Sequence, residues 1–157
     1  MAEELQNGYR SHVWVELGAR IRKDFRGCAV PAQTLLLDQS GSMTRAGRLD
    51  KAKDAAKAVI DTLNGADFAT VISFGTRSTS FSAGSRGGVL VRADEQTRKD
   101  MQGFVDRITA FGKTNYEQAF KTAFDVVDNS RARGKTSGCH TSTVLFLTDG
   151  EITVGKE

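Results

Sequence analysis

At 157 residues, with 39% hydrophobic and 26% charged side chains and a single proline, the chain has the size and balance of one globular domain able to bury a core without disulfide or metal staples. A net charge of +3 is too small to imply a nucleic-acid partner. No run of about twenty apolar residues occurs and the amino terminus lacks a basic-then-apolar leader, so a soluble domain is expected, or a piece of a longer secreted or membrane protein.

Taken in order, residues 1–30 read as an amino-terminal extension. It has a polar start, an alternating stretch at Val13, Val15 and Leu17, and a basic cluster at Arg20, Arg22, Lys23 and Arg26. Asp24 and Glu16 lie among those bases, so a solvated face is the expectation there. Residues 31–157 read as the main domain. Thr34 to Leu37 is an apolar run of strand length that ends in Asp38. Arg48 to Leu63 carries apolar residues at helical spacing and stops at Asn64-Gly65. Phe68 to Phe74 is β-branched and aromatic and reads as a second strand. Ser78 to Phe81 fits an edge segment, and Val89 to Val91 a third core strand. Asp94 is placed to cap a helix through Ile108. A further amphipathic helix runs from Tyr116 to Val127, a loop follows from Asn129, and Thr143 to Leu147 reads as the next strand.

That order implies an α/β fold, a mostly parallel open sheet with helices on both faces. Ligands of such sheets bind at strand carboxyl ends. Two of the strands end there in acids, Asp38 and Asp149.

Asp38, Ser40 and Ser42 alternate along a tight loop around Gly41, so a single curl can aim three oxygen-bearing side chains at one point. Carboxylate, hydroxyl and water oxygens suit a small hard cation such as Mg²⁺. The loop cannot fill the shell alone, and further oxygens are offered at Thr114 and at Thr148-Asp149. The plain alternative for the loop is an Asx or serine turn satisfying its own amides, and for Thr114 a helix cap, a task Asn115 can equally perform.

Asp-x-Ser-Gly-Ser after a first strand, a threonine opening a later helix, and Thr-Asp-Gly after a later strand resemble the metal-ion-dependent adhesion site (MIDAS) of von Willebrand factor A (VWA) domains, over about Thr34 to Glu151. Within that family, Gly112 to Asp125, leading to Cys139 and Leu147-Thr148-Asp149-Gly150, is most similar to the A domain of the auxiliary alpha-2/delta subunits of voltage-gated calcium channels. The resemblance implies a divalent cation, Mg²⁺ or Mn²⁺ or Ca²⁺, held by Asp38, Ser40, Ser42, Thr114 and Asp149. Both serines would bind directly, Asp38 largely through water, and Thr114 and Asp149 by exchanging direct for water-mediated contact. It implies adhesion in place of catalysis, with a protein ligand presenting Asp or Glu, and an extracellular or membrane-surface setting. Family members continue well beyond the Thr-Asp-Gly loop. The chain is therefore expected to be truncated after its fourth core strand, exposing an edge at Thr143 to Leu147 that could pair with another chain.

Other chemistries fit less well. A hydrolase using Ser40 would need His12 or His140 as base, and His140 precedes its strand, at the end opposite Asp149. A phosphotransfer enzyme with Asp38 as nucleophile would want a second acid where Ser40 stands. Gly112-Lys113-Thr114 and Gly134-Lys135-Thr136 invite a phosphate-loop assignment, but the earlier glycine is Arg107 in one and Asn129 in the other, so no nucleotide is expected. Cys28 and Cys139 lack a C-x-x-C spacing, which leaves their pairing and the compartment open. A purely structural VWA domain is the third possibility.

Overall fold

The computed structural model describes residues 32–81, 88–135 and 142–150. The extension at 1–30, both cysteines, both histidines and the carboxyl-terminal tail lie outside the described residues. Strand β1 (Ala32–Asp38) is central, paired in parallel with β2 (Phe68–Phe74) on one side and with β5 (Ser142–Leu147) on the other. Two short strands, β3 (Ser78–Ser80) and β4 (Val91–Arg92), run antiparallel along the far side of β2. The order is β3-β2-β1-β5, so among the described residues β5 is paired on one side only.

Helices cover both faces, which explains why every residue of β1 is buried and why its sequence shows an almost continuous apolar run. Leu35, Leu37, Ala69 and Val71 point to one face and meet Ala56 and Ile60 of α1 (Arg48–Asp61) and Met101 and Val105 of α2 (Glu95–Arg107). Leu36, Ile72 and Phe74 point to the other and meet Ala119, Ala123 and Val126 of α3 (Tyr116–Ala132). Caps fix two of the helix starts. Asp94 accepts the Thr97 amide at 2.8 Å and Asn115 accepts the Gln118 amide at 3.0 Å.

Two expectations shift, for one shared reason. Of the segment expected to be a strand at Val89 to Val91, only Val91 lies in the sheet, in a two-residue strand with Arg92. The amide of Leu90 donates instead to Ser130 Oγ at 2.7 Å. The helix expected to give way to a loop at Asn129 runs on to Ala132, with Ser130 fully buried and donating to the Val126 carbonyl. Ser130 thus satisfies a buried amide that no strand partner reaches.

Replacing Ser130 with Ala would leave that amide buried and unsatisfied, a loss of about 1–3 kcal/mol. Urea unfolding of Ser130→Ala should show the lower midpoint; a midpoint matching the wild type would mean water or a shift of Leu90 takes the serine's place.

Candidate metal centre

The parallel register carries β1 and β5 upward together, with Leu37 opposite Leu147, so the next residues along, Asp38 and Thr148, emerge side by side. Thr148 Oγ1 donates to Asp38 Oδ2 at 2.6 Å. The same hydroxyl lies 2.9 Å from Tyr116 OH and accepts the Gly150 amide at 3.1 Å. A hydroxyl has one proton and two lone pairs. Because Thr148 spends its proton on Asp38, the Tyr116 hydroxyl must be the donor in their bond. Tyr116 rises from an aromatic cluster, its ring 5.0 Å from Phe146 and 5.9 Å from Phe74, and Phe74 stacks on Phe146 at 5.1 Å. A relay of hydroxyls thereby ties a buried acid to the core.

Asp38 is fully buried, and its other oxygen accepts the Ser40 amide at 2.8 Å. Ser40 is buried too, and its Oγ lies 3.0 Å from Ser42 Oγ. After Ser42 the chain winds through 3₁₀ turns over Gly41–Gly47, broken at Arg45 and Ala46, and enters α1. Burial pushes the Asp38 carboxyl above its ordinary range. The bonds from Thr148 and Ser40 pull it part of the way back, and the Asp149 charge nearby adds to the rise.

Thr114 reaches this corner through backbone sutures. The Gly41 amide donates to the Gly112 carbonyl at 2.9 Å and the Phe111 amide to the Gln39 carbonyl at 2.7 Å, so the 111–114 loop lies along the serine loop. A Cβ on Gly41 would sit 3.3 Å from the Gly112 carbonyl oxygen. Gly112 has φ +79, and a Cβ there would come within 2.6 Å of Thr76 Oγ1, which itself accepts the Lys113 amide at 3.0 Å. Thr114 is fully buried, and Asn115 takes the cap. Asp149, its side chain 4% exposed, is ion-paired with Arg48 at 2.8 Å.

Bonds therefore join Asp38, Ser40 and Ser42 directly, a charge interaction couples Asp38 to Asp149, and the loop that leads to Thr114 is bonded to the serine loop at Phe111 and Gly112. Thr148, which the sequence offers as an oxygen for the ion's shell, serves here as the donor that holds Asp38. Two further side chains in this corner have no site role in the sequence pattern: Tyr116 fits there as an apolar helix position and Arg48 as a helix start. The side chains gathered in this corner offer carboxylate and hydroxyl oxygens, which are hard donors.

The raised Asp38 carboxyl has a definite pH signature in ion-free protein. The folded state holds the proton more tightly than the unfolded chain, so the associated stability is present below 3.8 and is lost as pH rises through the folded value. Relative to Asp38→Asn, wild-type stability in chelator should fall from about pH 4 toward neutrality, by at most about 1.4 kcal/mol per pH unit. Urea midpoints across that range give the two slopes; a wild-type slope equal to or more positive than the variant's contradicts the assignment.

Residues 34–151 match the family described as von Willebrand factor type A domain. Human inter-alpha-trypsin inhibitor heavy chain H4 is 26% identical over 154 residues, covering 98% of this chain and 15% of that protein. The rat voltage-dependent calcium channel subunit alpha-2/delta-3 is 29% identical over 118 residues, covering 75% of this chain and 11% of that protein. The chain thus spans a small part of the length of these relatives. Among solved structures, a von Willebrand factor type A protein from Catenulispora acidiphila superposes with a TM-score of 0.58 at 30% identity, covering 64% of this chain and 23% of that one. Proximal thread matrix protein 1 from the mussel byssus, solved with zinc in its MIDAS motif, superposes at 0.56 and 21% identity over 83% of this chain and 34% of its own, a likeness of fold. With its sheet order, its helices on both faces and its matched segment agreeing, the chain belongs to the von Willebrand factor type A domain family.

Proposed function

We propose that Asp38, Ser40, Ser42, Thr114 and Asp149 hold one divalent cation, Mg²⁺ or in its place Mn²⁺ or Ca²⁺, and that the domain thereby binds a protein presenting Asp or Glu. The observation that carries this is the 3.0 Å between the Ser40 and Ser42 hydroxyl oxygens. Donors about 2.1 Å from Mg²⁺ on adjacent corners of an octahedron lie about 3.0 Å from each other. The two serines are thus spaced as one edge of such a shell.

The charge of the corner fits as well. A buried carboxylate whose proton affinity is raised by desolvation and by a neighbouring acid favours a cation beside it. The Ser40 amide and Thr148 hydroxyl hold Asp38 in a fixed orientation, as a group reaching an ion through water would need. Ser40 and Ser42 are neutral donors and leave an ion's charge uncompensated. When bound, the ion would supply a Lewis-acidic position that a partner's carboxylate can fill.

Binding is favoured over hydrolysis because the Ser40 hydroxyl meets another hydroxyl at 3.0 Å, where a nucleophile would need a base. The likeness to a channel subunit and to an inhibitor heavy chain, proteins named for assembly with other chains, favours a protein partner.

Thermal melts of the whole chain in chelator and in millimolar Mg²⁺ test the ion. At a hundred times the dissociation constant, linkage gives about 2.7 kcal/mol, or a melting point higher by roughly 5–10 °C for a domain of this size. Ser40→Ala and Ser42→Ala should each lose most of that gain, and a short peptide containing Asp should bind in Mg²⁺ where its Asn counterpart does not. A melting point indifferent to millimolar Mg²⁺ and Mn²⁺ would overturn the proposal.

A further inference from the structure

Arg48 sits where helix energetics disfavour it. It is the first residue of α1, at the positive end of the helix dipole, where a cationic side chain is unfavourable. Its guanidinium reaches across 101 positions of sequence, and Nη1 donates to Asp149 Oδ2 at 2.8 Å. The pair is largely withdrawn from water, the two side chains being 17% and 4% exposed. Solvent screening is weak in such a place, so the two charges are strongly coupled.

Resting on the ion site proposed above, we propose that Arg48 is a built-in counter-ion that occupies the Asp149 carboxylate in the ion-free domain and competes with a divalent cation for it. The guanidinium must leave Asp149 as the ion arrives, or share the carboxylate with it. Either way a positive charge stands close to the incoming cation and weakens its binding. The same pairing lowers the net negative charge of the corner from that of two acids to that of one. An ion held there keeps more of its field for a partner's carboxylate. Arg48 is in this sense a positioning residue for Asp149, trading ion affinity for partner affinity.

Calorimetric titration of the whole chain with MgCl₂ and MnCl₂ tests this. Arg48→Gln should bind Mg²⁺ at least about tenfold more tightly than wild type, while Arg48→Lys, which keeps the charge, stays near wild type. In an Asp149→Asn background the Arg48→Gln gain should vanish, a coupling that a merely structural role for Arg48 would not produce. In wild-type protein, the Arg48 Nε–H resonance should shift in step with Mg²⁺ saturation, a measurement that needs no variant to fold. If wild type binds and Ser40→Ala does not, yet Arg48→Gln leaves affinity equal or weaker, or the Arg48 resonance stays fixed at saturation, the counter-ion role is overturned and the ion site stands. If neither wild type nor Arg48→Gln binds either ion, the ion site itself fails and this inference fails with it.

Discussion

A carboxylate at the end of a central strand, shut away from water with a second acid beside it, is the constraint around which this domain is arranged. Asp38 is fully buried and feels the charge of Asp149. Leaving it anionic is costly unless donors or a cation compensate. The Ser40 amide and the Thr148 hydroxyl supply the donors, and Thr148 is in turn held by Tyr116 and Gly150. Arg48 supplies positive charge at Asp149. What remains is the oxygen-lined corner at which a divalent ion is proposed.

The fold explains why the corner sits where it does. Parallel pairing of β1 with both neighbours brings three strand ends to one edge of the sheet, and the 3₁₀ turns of the serine loop lead straight into α1. The loop before α3 is bound to the serine loop by two backbone bonds, with close glycine approaches at Gly41 and Gly112. Short loops held by these bonds and anchored in β1, β5, α1 and α3 therefore carry the proposed donors. Dense packing on both faces of the sheet, mostly aliphatic with Phe81 and Phe104 under α1 and α2 and richer in aromatics under α3, fixes those elements.

Much of this was legible in the sequence because it is local. The alternation Asp38, Ser40, Ser42, the apolar run before it and the helical spacing of α1, α2 and α3 are set by neighbours within a few positions. Asp149 is placed beside Asp38 by topology, since both acids end strands of one parallel sheet, whereas the role of Thr114 rests chiefly on resemblance, because nothing local says where a residue that far along the chain will lie. Arg48 and Asp149 are 101 positions apart and Asp38 and Thr148 are 110 apart, so their contacts exist only once the strands are paired. Tyr116 was hidden differently, because its ring satisfies the apolar helix pattern while its hydroxyl does separate work. The Val89 to Val91 segment looked like a strand by composition, yet its Leu90 amide is satisfied by Ser130 from a helix, a long-range contact that composition does not encode.

The most direct measurement is anomalous diffraction from a crystal of this chain grown with Mn²⁺. The account predicts a strong peak about 2 Å from both the Ser40 and Ser42 hydroxyl oxygens, with Thr114 and Asp149 in its direct or water-mediated shell. A well-ordered corner with no peak between those two serines, or with manganese bound only elsewhere, would contradict it.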